Sequence, residues 1–411
     1  MPESAKVAAV REALPATGAG IYLNAGTSGP LPAEAQRAMD EQAAQDLAVG
    51  RAHPAQWPET LQRMAEARAA VAAVLVADPD DIALTHSTTD GINIAVAALP
   101  WTAGDRVLTT THEHPGGIGP LIALRDRLGV ELELVDVGDG GDEDAVVEAF
   151  RVALRRPARA IMVSHVLWTT GAVLPVARLA ALARESGTVV IIDGAQAAGA
   201  IPVQVEALGV DAYALPAHKW LLGPEGMGAL WVQRGFADSV IPAAAGGLSF
   251  ERFDAANPTL HPGARRFEAT GFHRPSLIGF ARSCGWLSMY VGLPWAQDRA
   301  ARLARDAAQR LAEIDGVRVV TPLGSMATLV AFRIDGWPAA DALDELGART
   351  FSILRDLPPM DALRASIGWW LTEDEIERFA SGVALLAGHS PDSLPPRRTL
   401  TVLGSEERPI E

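Results

Sequence analysis

The chain has 411 residues, 49% of them hydrophobic and 21% charged, enough for two or three domains around a large buried core. A formal net charge of −15 leaves no basic footprint for a nucleic-acid backbone. The single cysteine, Cys284, excludes an internal disulfide and a multi-cysteine metal site.

Residues 1–23 lack a basic segment followed by an apolar run, and no uncharged apolar stretch is long enough to span a bilayer. Neither a secretion signal nor a membrane span is expected, and a cytoplasmic location is the default. In chain order, a helix is predicted over 33–49 and an alanine-rich helix over 65–76. β-Branched and apolar runs then mark strands at 82–85, 107–110, 131–135, 160–163, 189–192, 211–215 and 229–232. Helical patterns lie between them, as at 143–154 and 176–185. Such alternation predicts βαβ units and a mostly parallel sheet covered on both faces.

One or two long helices follow over 282–314. Beyond Gly316, strands at 317–320 and 327–334 and helices at 339–346 and 373–386 predict a smaller α+β domain, which the 33–49 helix would complete. The expected division is an N-terminal segment 1–60 joining the small domain, a large domain 61–290, a small domain 291–388 and a flexible tail 389–411.

Lysine stands only at Lys6 and Lys219, so 33 of the 35 basic residues are arginine. Arginine serves most surface roles of lysine, but it stays protonated and delocalised and cannot form an imine. The interior Lys219 is therefore conspicuous. The 189–192 strand ends in Asp193-Gly194-Ala195-Gln196, an acid at the carboxyl end of a buried strand, where α/β folds place ligands. Alone, Asp193 reads as a helix cap. The next strand leads straight into Pro216-Ala217-His218-Lys219, so neighbouring strand ends can present a carboxylate and an amine to one cleft. Upstream, Thr85-His86-Ser87-Thr88-Thr89-Asp90-Gly91 joins a strand to a helix, which suits an anion site and equally a simple Ser/Thr cap. His112 and His114, taken as strand residues, would share one face and could ligate a metal, but no third ligand cluster accompanies them and no metal is expected.

Asp-Gly-Ala-Gln, then His-Lys, then Gly223-Pro224-Glu225-Gly226-Met227-Gly228 resembles the cofactor segment of the class V aminotransferase family. These fold-type I enzymes include cysteine desulfurases, selenocysteine lyases, kynureninases and isopenicillin N epimerase-like proteins, and the resemblance covers roughly 22–386. It implies a large domain with a mostly parallel, seven-stranded-type sheet between helices, a small α+β domain, pyridoxal 5'-phosphate (PLP) as cofactor, and a homodimer with shared sites. On that resemblance Lys219 carries PLP as a Schiff base, Asp193 pairs with the protonated ring nitrogen and Gln196 bonds the ring hydroxyl. His218, Thr88 and Thr89 hold the phosphate, and His114 stacks on the ring as a proton-transfer group. Arg355 receives the substrate α-carboxylate, with Arg349 as its rival, ahead of Arg364-Ala365-Ser366. Asn24 and Thr27 line the substrate entrance, and Thr270 reaches the phosphate of the partner subunit. His165 is read as structural.

Three departures set this chain apart from the desulfurases in that family. Pro216 stands where they have a serine, Trp168 where they have an asparagine, and no cysteine follows Arg355. Cys284, in a helical stretch at 277–290, reads as core. The expected activity is therefore PLP-dependent chemistry on an amino-acid substrate through a Cα carbanion. A C–S lyase working by β-elimination ranks first, an aminotransferase second and an epimerase third. A non-catalytic binding module is disfavoured because both Asp193 and Lys219 are present.

Overall fold

In the computed structural model, which describes residues 2–397, the apolar runs between 82 and 232 form one seven-stranded sheet. Its order is Ile82–Thr85, Gly228–Val232, Ala212–Pro216, Val189–Asp193, Ala160–Ser164, Arg106–Thr110, Glu131–Val135. Gly228–Val232 is antiparallel to both neighbours, and the remaining pairings are parallel. Every residue of Ala160–Ser164, Ala212–Pro216 and Gly228–Val232 is buried, as strands with helices on both faces require. Register sets Ser164 beside Asp193, and Asp193 beside Ala214, so the carboxyl ends of these strands share one edge.

The helices begin where local chemistry supplies a cap. Asp142 accepts from the Ala145 N–H and opens Glu143–Ala153, whose Val146, Val147 and Phe150 face the core. Thr372 and Glu375 form a reciprocal capping box at the start of Glu373–Ala387. The helix expected over 65–76 extends back to give Gln56–Leu75. The stretch expected as one or two helices over 282–314 starts earlier and is broken into Arg274–Gly285, a π-helical turn Trp286–Val291 and Leu293–Ala312. Gly292, at φ +81°, makes the break ahead of Pro294.

A second, antiparallel sheet of four strands runs Val317–Val319, Leu329–Ile334, Ala362–Ser366, Arg355–Leu357. The chain's start docks here: Ile21–Tyr22 pairs with Ser352–Ile353, and Arg11 holds Glu375 at 2.8 Å. The Ala33–Val49 helix does not complete this domain as expected. It packs on Arg274–Gly285, close enough that a Cβ on Gly279 would lie 2.5 Å from the Met39 sulfur. Of the predicted tail, Pro391–Ser393 forms a short 3-10 turn and Arg397 donates to Glu345 at 2.9 Å; 398–411 lie outside the described residues. Among the described residues no helix is long and apolar enough to cross a membrane.

One buried ion pair fastens the edge of the large sheet. Glu268 accepts from Arg68 at 2.9 Å and from the Leu84 N–H at 2.9 Å, covering the open side of the edge strand. Removing one partner leaves the other charge buried and uncompensated. Arg68→Ala is expected to lower unfolding free energy by about 3–5 kcal/mol in urea titrations.

Candidate active site

The shared strand edge opens into a cleft whose empty volume is about 740 Å³ with its mouth included. The sheet's carboxyl ends supply Ser164, Asp193 and Pro216, and the loop beyond Pro216 supplies His218 and Lys219. Lys219 is carried on a tight turn closed by Leu222 N–H to Lys219 C=O (3.1 Å) and Gly223 N–H to Ala217 C=O (2.8 Å), with Leu222 at φ +55°. The N-terminal loop lies directly on this turn. Gly29 donates to the His218 carbonyl at 2.7 Å, and a Cβ at Gly29 would sit 2.2 Å from the Lys219 carbonyl oxygen, so only glycine fits there.

Burial lowers the Lys219 amine to about 8; Asp193 opposes that fall, and Arg364 and Arg355 add to it. Burial raises the Asp193 carboxyl, against the pull of Lys219 and the Ala195 N–H. Asp193 Oδ1 accepts from that N–H at 2.8 Å, and no hydrogen bond reaches Oδ2 among the described residues. Gln196 is held on both sides, accepting from the Trp220 indole N–H (3.0 Å) and donating to the Gly26 carbonyl (2.8 Å), with one amide hydrogen left over. Ser87, Thr88 and Thr89 line the opposite wall at the start of the Thr88–Ala97 helix, where free N–H groups favour an anion. His218 Nδ1 is buried without a partner.

His114 is not on a strand. It caps the Pro115–Leu128 helix, its Nδ1 accepting from the Gly116 N–H at 3.0 Å, which leaves the proton on Nε2. Its ring meets Trp168 edge-on, centroids 5.1 Å apart at 85°. Burial, then Lys219, Arg355 and Arg364, push it down to about 4, so it is a neutral imidazole at neutral pH. His112 turns away from it, to Thr169 and the Gly138 carbonyl, and the described residues contain no group of three or more metal-ligating side chains. His165 is buried against the Tyr213 hydroxyl at 3.0 Å.

Thr27 and Arg355 also line the cleft, with Arg355 Nη1 3.4 Å from Thr27 Oγ1. Two expected residues are elsewhere. Asn24 bridges to Ser366 behind the cleft wall, its Oδ1 buried and unpartnered, because its backbone is drawn into the four-stranded sheet. Thr270 is exposed and off this chain's cleft. Arg349 is occupied by Glu345 at 2.6 Å and by the Pro395 carbonyl.

Two residues without an assigned role in the sequence come into view. Arg364, 1% exposed, hangs by Nη1 from the Trp168 carbonyl at 2.9 Å, while Nε and Nη2 have no partner. Burial and then the Arg355 charge pull it down to about 9. Glu113 lies beneath Ser164, taking its hydroxyl (2.6 Å) and N–H (3.0 Å) together with the Thr110 hydroxyl (2.6 Å). Burial pushes this carboxyl up to about 7, the two hydroxyls oppose it, and Asp193 adds to it. The Arg-x-Ser pattern and the Glu-His pair were the signals that could have flagged both.

The sheet, its crossovers and this cleft define a class. The chain belongs to the class V aminotransferase family, whose model matches residues 21–379. Among its relatives is a probable cysteine desulfurase of Methanothermobacter thermautotrophicus, 27% identical over 92% of this chain and 98% of that protein. Isopenicillin N epimerase of Streptomyces clavuligerus is 29% identical over 90% of this chain and 95% of its own length. A solved complex of the cystine C–S lyase C-DES with its reaction product, cysteine persulfide, matches with TM-score 0.85 at 27% identity, covering 90% of this chain and 99% of that one. The fold is fold-type I and the chain is a PLP-dependent enzyme. The cleft's own chemistry fits that cofactor: a depressed amine, a buried carboxylate oxygen without a donor, an orphaned histidine nitrogen and a helix N-terminus.

The depressed value of His114 has a stability consequence. Its contribution is complete above its ordinary 6.5 and is lost as pH falls through about 4. His114→Asn keeps an acceptor for the Gly116 N–H. The cofactor-free variant is expected to lose less melting temperature than the parent between those pH values.

Proposed function

We propose that the chain is a C–S lyase that releases a thiol from S-substituted cysteine by β-elimination. The observation that carries this reading is a cleft lined by a depressed amine and one guanidinium, Arg355, with a second, Arg364, buried behind it, neither paired with a carboxylate among the described residues, and no thiol on its lining. The chain's single cysteine, Cys284, is buried in the Arg274–Gly285 helix away from the cleft, its thiol pushed up to about 12 by burial, so it offers no acceptor for a persulfide. The likeness to a cystine C–S lyase supports the same reading.

When bound, PLP supplies a carbonyl carbon for amines and an electron-withdrawing ring that takes up the electron pair left at Cα. Lys219 Nζ would hold the cofactor and, as a free amine near 8, would be suited to take the Cα proton. Asp193 Oδ2 would hold the proton on the ring nitrogen, and the spare Gln196 N–H would be free for the ring hydroxyl. Thr88, Thr89 and His218 would hold the phosphate, and neutral His114 would cover the ring face with Nε2–H as its donor. Arg364, rather than the expected Arg355, receives the α-carboxylate, because it is the buried guanidinium with two free nitrogens. The Cβ–S bond then breaks with both electrons leaving on sulfur. Over the cycle one water enters, and thiol, pyruvate and ammonia leave. The proposal includes a cytoplasmic homodimer in which the exposed Thr270 serves the partner's phosphate.

Purified holoenzyme is expected to show a visible absorption band that borohydride and Lys219→Ala both abolish, the variant losing at least ~10²-fold in rate. Pyruvate should form from S-substituted cysteines without an added thiol acceptor. Amino transfer to a keto acid with no pyruvate would replace the lyase by an aminotransferase.

A further inference from the structure

Gln196 lines the cleft, and its buried amide is gripped by two partners that can each do one thing only. The Trp220 indole donates to Oε1 at 3.0 Å, and an indole nitrogen does not accept. The Gly26 carbonyl accepts from Nε2 at 2.8 Å and has no hydrogen to give. Turning the amide over would set N–H against N–H and oxygen against oxygen, so one orientation survives. The second Nε2 hydrogen is what remains for the cleft. Trp220 is locked in its turn. It is 2% exposed, it follows Lys219 on the same tight turn, and its carbonyl oxygen lies 2.8 Å from where a Cβ on Gly199 would stand.

We propose that Trp220 is a positioning residue for the cofactor: its indole locks the Gln196 amide so that an N–H meets the PLP ring hydroxyl and holds it as an oxyanion. This rests on the assignment of Gln196 to that hydroxyl and is independent of which substrate bond breaks. A donor fixed in place favours the charged form of an acidic hydroxyl, because the neutral form would point its hydrogen at another hydrogen. The proton the hydroxyl gives up goes to Lys219 Nζ. Without the indole, Oε1 is buried and unpaired, and swinging it towards the hydroxyl becomes the way to satisfy it. The hydroxyl would then keep its proton. One turn therefore sets both the amine that holds the cofactor and, through Gln196, the charge on the oxygen beside it.

The test measures the affinity of cofactor-stripped protein for PLP and for 3-deoxypyridoxal 5'-phosphate, which lacks only the ring hydroxyl. Gln196→Ala is expected to weaken PLP binding about tenfold more than it weakens the analogue, the scale of one hydrogen bond to a charged group. Trp220→Phe should weaken PLP at least about threefold more than the analogue. With Gln196→Ala already in place, adding Trp220→Phe should cost the two ligands equally, since the indole acts only through that amide. Equal losses in Trp220→Phe alone, or the same selective loss with and without Gln196, would overturn the positioning role while leaving Gln196 at the hydroxyl. Equal losses in Gln196→Ala would remove that assignment and the proposal with it. If Trp220→Phe does not fold, the parent decides by NMR. Among the indole N–H signals of the ten tryptophans, the one that Gln196→Ala shifts should move further on loading PLP than on loading the analogue, and equal movement would overturn the role.

Discussion

Burial acts on Lys219 and Asp193 in opposite senses, driving a proton off the amine and onto the carboxyl, while the attraction between their charges resists both shifts. That opposition needs a dry, close-packed setting, and the surrounding residues supply it. Beside Asp193, a Cβ on Gly194 would lie 2.0 Å from the Tyr213 ring, and one on Gly117 would come 3.3 Å from Asp193 Oδ2. The backbone is pressed against the pair from two sides, and the glycines that allow it belong to the site as much as the charged groups do.

Charge is divided between the two sheets. The seven-stranded sheet brings the acid and the amine, and the four-stranded sheet brings two arginines. The hairpin that follows Ala160–Ser164 connects them. Val166 bridges to Val173, Ala172 to Met326, and the Gly171 carbonyl accepts from the Ala327 N–H at 3.0 Å. Gly171, at φ +77°, lies against Leu329 so tightly that a Cβ would meet its carbonyl at 2.4 Å. Trp168 rides on this hairpin, which is why one residue touches both arginines and His114.

The strands of the large sheet were legible to the extent that buried parallel strands announce themselves as β-branched runs with chemistry at their carboxyl ends, as at Asp193. Lys219 was legible because an arginine-rich chain leaves interior lysine nearly alone. Arg364 was not: what separates it from the other described arginines is loss of solvent without gain of a counter-ion, which only tertiary packing decides. Asn24, placed at the entrance only by the family resemblance, is drawn into sheet pairing with Ser366, a tertiary contact its loop sequence does not announce. The 33–49 helix has alanine on several faces, so its periodicity could not tell which body it would pack on.

On the proposed assignment, the groups for the amine end and the acid end of an amino acid stand on different sheets, and a bound molecule would work as a strut between them. Its grip would be felt outside the cleft, at the Val173 N–H to Ser325 carbonyl bond (2.7 Å) that staples the connecting hairpin to the smaller sheet. Occupancy and domain breathing are then one mechanical variable, and slowed amide exchange at that staple would report ligand held some distance away.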